Sequence, residues 1–239
     1  MKWCSAIRLV ILPAALLCGG IPAGAQDIPS RSGGKTIVKS HLDSIPAEDE
    51  ATRYSGLTDA DFKIVAKELG VEIAAIKAVV LIEAGPQMKG FSAPGVPVVN
   101  FDRTMYNRFR SKARSGGDPN AKVPKGLSGT ALSEWTQLVN ARKNNAEAAD
   151  LGTFWGMFQI GGFNYKLCGC SSVAEFVKMM SYSELQQLEL FANFITNAGM
   201  LNDLKNKNWA GFARKYNGAS YAKRGYHTKM ANAYQKFKK

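Results

Sequence analysis

Cysteine and histidine are scarce in this chain: of 239 residues, four are cysteine and two are histidine. Cys4 and Cys18 fall within the first 25 residues, leaving Cys168 and Cys170 in a Cys-Gly-Cys run. Cysteines so close in sequence cannot clamp distant parts of a fold, and a disulfide between them would be strained. No disulfide framework is therefore expected. With only His41 and His227 available, a Cys/His zinc site is not supported, and neither a metal nor another cofactor is expected. Long apolar runs are also lacking. Beyond Leu9–Leu17 nothing approaches the length of a membrane span, so no stable membrane insertion is expected. Acid disappears from Leu204 to Lys239, where ten Lys and Arg residues stand without one Asp or Glu.

What is present begins with a leader. Lys2 and Arg8 precede or border the apolar run, and Ala23-Gly24-Ala25 supplies a small-x-small cleavage site. Residues 1–25 read as a signal peptide, which sends the chain to the periplasm or outside the cell. Leu17 before Cys18 fits lipoprotein processing poorly. Losing Lys2 and Arg8 and no acid lowers the net charge from +12 to +10. For an exported protein that excess suits anionic wall polymer or a membrane surface, and nucleic acid is not an expected partner.

Residues 26–55 carry Pro29, Gly33-Gly34 and Pro46 without periodicity and read as a linker or arm. Residues 56–239 read as one domain, with 46% hydrophobic and 21% charged residues in the whole chain. Thr58-Asp59-Ala60-Asp61 resembles a capping box, and Phe62, Val65, Ala66 and Leu69 form a helical stripe closed by Gly70. Val71–Gly85 is a second, mostly buried helix, with Ile73, Ile76, Val79, Val80 and Ile82 at helical spacing. Gly90–Ala93 and Val96–Phe101 flank Pro94-Gly95 as a hairpin. Helices are expected through Met105–Phe109, from Ser133 to about Asp150, from Ser172 to Met180, after a Ser181-x-x-Glu184 capping box, from Met200 to Lys205, and from Tyr226 to Phe237. The fold class is mainly α: a single helical domain with one small hairpin.

Chemistry concentrates at two places. Glu83 leaves an apolar helix at the lip of a loop, where partial desolvation favours the neutral carboxyl and raises its pKa. A general acid working near neutrality needs that property. The stretch Leu151–Cys170 mixes glycines with Trp155, Phe158, Phe163 and Tyr165, flat faces of the kind that stack on sugars. Its Gln159 and Asn164 are amides that need partners if buried. Further on, Trp209, Phe212 and Ala213 lead into Tyr216-Asn217-Gly218.

AIKAVVLIEAG, VPVVNFDR, WGMFQIGGFNY and WAGFARKYNG, in that order, resemble the lysozyme superfamily, including goose-type lysozymes and lytic transglycosylases. More closely, the chain resembles the N-acetylmuramidase domain of phage endolysins and bacterial wall-associated proteins. The resemblance implies an α+β lysozyme-like domain with its hairpin beside an active-site cleft. It also implies peptidoglycan glycan strands as substrate, and Glu83 as catalytic acid. Asp102 stands where the family usually has Glu in a Phe-Glu-Arg-His-like motif, with Thr104 in place of the His and Phe154 in place of a common Ser. Gln159, Asn164, Arg214, Tyr216 and Asn217 fall on matching motifs and would line the sugar groove, beside the aromatic faces of Trp155 and Tyr165. The reaction implied is hydrolysis of the bond between N-acetylmuramic acid and N-acetylglucosamine. The alternatives are a lytic transglycosylase, a non-catalytic wall-binding module, and a cysteine peptidase using Cys168 with His227.

Overall fold

The structure, a computed structural model, describes residues 54, 56–113 and 116–238. The expected leader and nearly all of the expected arm lie outside them. Helix α1 (Asp59–Leu69) opens on a capping box in which Thr58 Oγ1 accepts the Asp61 N–H and Asp61 Oδ2 accepts the Thr58 N–H. Gly70, in the left-handed region at φ 61°, ends it. Helix α2 (Ile73–Glu83) follows at once.

Burial of α2 is broader than one stripe: Ala74, Ala75, Ile76, Ala78, Val79 and Val80 are all buried, whereas Ile73 is exposed. A helix apolar on most sides must be covered on most sides. Helix α10 (Tyr226–Phe237) provides much of that cover, packing along α2. The Tyr234 hydroxyl donates to Glu72 Oε2 at 2.6 Å, and Lys207 pairs with the same carboxylate. That clip fixes the start of α2 and leaves its end, with Glu83, at the opposite extremity.

The expected hairpin forms, but its second arm serves two sheets. Strand β1 (Phe91–Ala93) pairs antiparallel with β2 (Val96–Pro97) around Pro94-Gly95. At Val98 the chain changes partner: its N–H donates to Gly90 O, and its carbonyl accepts the Gly156 N–H. Strand β3 (Val99–Phe101) then pairs with β4 (Thr153–Trp155), and β4 pairs with β5 (Ile160–Gly161). The glycine-aromatic stretch thus supplies two of the three strands of a second small antiparallel sheet. Its pleat buries Val99, Phe101, Thr153 and Trp155 on one side and leaves Asn100 and Phe154 half-buried on the other.

Helix α3 (Arg103–Arg110) leaves the sheet directly. The helix expected from Ser133 to Asp150 is two: α4 (Gly129–Arg142) and α5 (Ala146–Leu151), separated where Asn145 Oδ1 accepts the Ala148 N–H as a new N-cap. Helix α4 closes over the sheet, where Trp135 Nε1 donates to Pro97 O and Glu134 Oε2 accepts the Phe101 N–H. Helix α6 (Val173–Met180) leads to α7 (Glu184–Asn197), whose cap is Ser183, not Ser181: Ser183 Oγ accepts the Gln186 N–H. Ser181 instead ends α6.

Helix α7 is the spine of the domain. Leu188, Leu190, Phe191, Ala192 and Ile195 have no exposed surface, and its first turns also bury Glu184, Gln186, Gln187 and Glu189. Helices α8 (Leu201–Lys205) and α9 (Trp209–Asn217) complete the chain before α10. Among the described residues no helix is long and apolar enough to cross a membrane.

Candidate active site

Glu83 is the last residue of α2 and is only 8% exposed. Burial pushes its carboxyl up from the usual 4.5 to about 7, and a hydrogen bond from Asn217 partly opposes that rise. Asn217 Nδ2 donates to Glu83 Oε1 at 2.9 Å. The other oxygen, Oε2, is buried without a hydrogen-bond partner. One oxygen is therefore anchored, and the other is desolvated and unsatisfied.

Asn217 is presented by the end of α9, which is locked by Tyr216. The Tyr216 hydroxyl donates to Phe158 O at 2.7 Å. Its ring stacks on Phe212 at 5.9 Å between centroids and meets Phe191 and Phe194 edge-on. Phe158 in turn stacks on Phe191 at 4.2 Å. Tyr216, expected to touch sugar or shape the groove, is thus held by its neighbours as a strut between α9 and the β4–β5 turn. Burial drives its phenol well above the ordinary range, and the nearby Glu83 and Cys168 act in the same direction.

That turn carries Gln159 at φ 50°, a left-handed conformation uncommon for a residue with a side chain. Gln159 Nε2 donates to Gly156 O at 2.8 Å, while its Oε1 is buried without a partner. Gln187 of α7 supports the same turn: its Oε1 accepts the Met157 N–H at 2.9 Å. Sequence patterning passes over Gln187, because a glutamine in an amphipathic helix looks like part of its wet face.

Trp155 requires a correction. It has no exposed surface, its Nε1 donates to Asp150 O at 3.0 Å, and it lies edge-on to Trp135. The Arg142 guanidinium lies over its ring at 5.5 Å while bonding Asp150. It cannot touch a sugar; strand pleating turns it inward. Phe154, next to it, is the residue on the more open side.

Asp102 is the N-cap of α3, and its Oδ1 accepts the N–H groups of Thr104 and Met105 at 2.8 and 2.9 Å. Its own N–H donates to Gly152 O, joining it to the sheet. Asn164 and Tyr165 are half-buried just past β5, and Arg214 is exposed with its guanidinium 5.6 Å from the Tyr221 ring centre. Among the described hydrogen bonds none joins Asn164, Tyr165 or Arg214 to Glu83. The structure brings together Glu83 and Asn217, and ties Tyr216 to the turn bearing Gln159.

Cys168 and Cys170 are buried free thiols, both pushed upward in pKa by burial, Cys170 to about 12. A nucleophilic cysteine needs the opposite shift, which removes the peptidase alternative. Among the described residues no group of three or more His, Cys, Asp or Glu is gathered where it could hold a metal ion.

Comparison with known proteins is consistent with this geometry. The family described as Muramidase, N-acetylmuramidase, matches residues 72–238. Among solved structures, the crystal structure of a Burkholderia AP3 phage endolysin is similar, with 36% sequence identity and a TM-score of 0.65 over 77% of this chain and 71% of that one. A search of curated proteins gives no significant match. The helices and small antiparallel sheets therefore form a lysozyme-like α+β fold. Matched over most of its length, this chain belongs to the N-acetylmuramidase family of peptidoglycan-cleaving glycosidases.

Proposed function

We propose that the chain hydrolyses the β-1,4 bond between N-acetylmuramic acid and N-acetylglucosamine, with Glu83 as general acid. The observation that carries this reading is the state of the Glu83 carboxyl. It is buried, raised to about 7, anchored through Oε1 by Asn217, and unpartnered at Oε2. Departure of the sugar oxygen requires a proton at that oxygen, while positive charge grows at the anomeric carbon. A carboxyl half protonated near neutrality supplies the proton and is left as a carboxylate, which faces the developing charge. Asp102 has the lesser part of orienting water or stabilising charge from the strand–helix junction. Gln159, Asn164, Tyr165, Arg214, Tyr216 and Asn217 line or shape the groove, and the reaction takes place in the periplasm or outside the cell.

One observation favours a second reading. Asp102 Oδ1 is committed to two backbone N–H groups of α3, and a lytic transglycosylase needs no second carboxylate, because the substrate's own 6-hydroxyl closes on the anomeric carbon. Mass spectrometry of fragments from purified peptidoglycan separates the two. Reducing muramic acid ends support hydrolysis, and 1,6-anhydro ends, one water lighter, transfer the enzyme to the transglycosylase class.

A further inference from the structure

Two side chains from the first turn of α7 hold both polar groups of Gly90. Glu184 Oε1 accepts the Gly90 N–H at 2.9 Å, and Gln187 Nε2 donates to the Gly90 carbonyl at 3.2 Å. Gln187 Nε2 also donates to Met180 O at 2.9 Å, and its Oε1 accepts the Met157 N–H at 2.9 Å. This amide has no exposed surface, yet its donors and its acceptor are all engaged with backbone. A buried amide satisfied by three separate segments is a demanding arrangement, because losing one partner strands the others in a dry interior.

Glycines make room for it. A Cβ at Gly90 would lie 2.4 Å from Gln187 Oε1, and one at Gly156 would lie 2.6 Å from the same atom. Backbone at both positions must come this close for the amide to reach it.

Both segments lead to Glu83. Gly90 stands on the chain that leaves α2 just beyond Glu83 and enters β1. Met157 precedes Phe158, whose carbonyl takes the Tyr216 hydroxyl, and Tyr216 precedes Asn217, which donates to Glu83. Phe191, one turn after Gln187 on α7, supports the same Phe158 from below its ring.

We propose that Gln187 is a positioning residue for the glycosidase reaction: by holding Gly90 and Met157 on one amide, it fixes the segment leaving Glu83 relative to the turn that carries Gln159. It touches neither sugar nor the reacting atoms. The inference rests on the reading of Glu83 as the acid.

The test uses the full chain and two variants, with kcat and KM measured on peptidoglycan glycan and normalised to the folded fraction. Gln187→Met keeps length and bulk but removes every bond. Its kcat per folded molecule should fall tenfold or more, while it still melts cooperatively. Gln187→Glu keeps the acceptor for Met157 and regains a donor only when protonated. Its activity relative to wild type should therefore rise from mildly alkaline to mildly acidic conditions. Charges around that turn, Glu184 with Asp61 and Lys89 beside it, are present in both proteins. An unchanged kcat in folded Gln187→Met, or a ratio that does not vary with pH, overturns the proposal. Failure of both variants to fold also overturns it and confines Gln187 to holding the fold. Glu83→Gln measured alongside keeps the two readings apart, since full activity there removes the acid assignment whatever Gln187 does.

Discussion

Asn217 Nδ2 lies 2.9 Å from Glu83 Oε1, joining residues 134 positions apart in sequence. The bond favours the charged carboxylate, whereas burial favours the neutral acid, and burial is the larger effect. The balance leaves Glu83 near 7, where it can both release and retake a proton.

Glu83→Gln keeps the shape but cannot release a proton. Turnover on peptidoglycan should fall by ~10² or more, with wall binding largely kept. Stability should move the other way. The folded state holds its Glu83 proton up to about 7 and the unfolded chain only up to 4.5, so stability is lost as pH rises through that window. Above it, Glu83→Gln should be more stable by up to about 3 kcal/mol, measured by denaturant unfolding at several pH values.

Asn217→Ala removes the bond that lowers the Glu83 pKa. The carboxyl should then hold its proton to higher pH, and the alkaline fall in kcat/KM should move upward. A downward move, or none, would show that Asn217 does not govern the acid.

Asp102→Asn should keep the α3 cap, because an amide oxygen accepts the same N–H groups, and should cost less activity than Glu83→Gln. Asp102→Ala loses the cap and should lower stability by about 1 kcal/mol. Thermal melts of the two variants, compared with their rates, separate capping from chemistry.

Trp155→Ala opens a cavity among Trp135, Arg142 and the sheet. Destabilisation of about 3–5 kcal/mol is expected, and whatever remains folded should bind wall normally. Weakened wall binding in a fully folded variant would return Trp155 to the groove.

The basic end of the chain should aid wall association. Arg214, Lys223, Lys229 and Lys236 are exposed, whereas Lys207 pairs with Glu72 and Lys215 with Asp203. At about 0.5 M salt, where screening acts within a few ångströms, sedimentation with wall sacculi should drop. Binding indifferent to salt would count against it.

Sequence periodicity located α6, α8 and α10 almost to the residue, because each has a clear cap or a glycine before it. Glu83 was legible because a charge at the end of an apolar helix is conspicuous. Trp155 was not, because in a strand of three residues the inward face is set by the partner strand, and β3 lies far away in sequence. Asn217 reached the site through resemblance alone, since nothing in Tyr-Asn-Gly indicates a carboxylate on another helix. Gln187 carried no signal: its three partners are backbone groups, which every sequence has. The division of residues 133–150 is not legible, because Asn145 looks like an ordinary helix residue until its side chain is seen capping.

The clip of Tyr234 and Lys207 on Glu72 has a temporal meaning. Helix α2 is made early but is covered by α10, and Glu83 at its end is anchored by Asn217 of α9. The partner of Glu83 lies 134 residues further along the chain, so the contact can form only after α9 has been made. The pairing of Glu83 with Asn217 is thus a late acquisition of this molecule, absent from every nascent form that ends before α9.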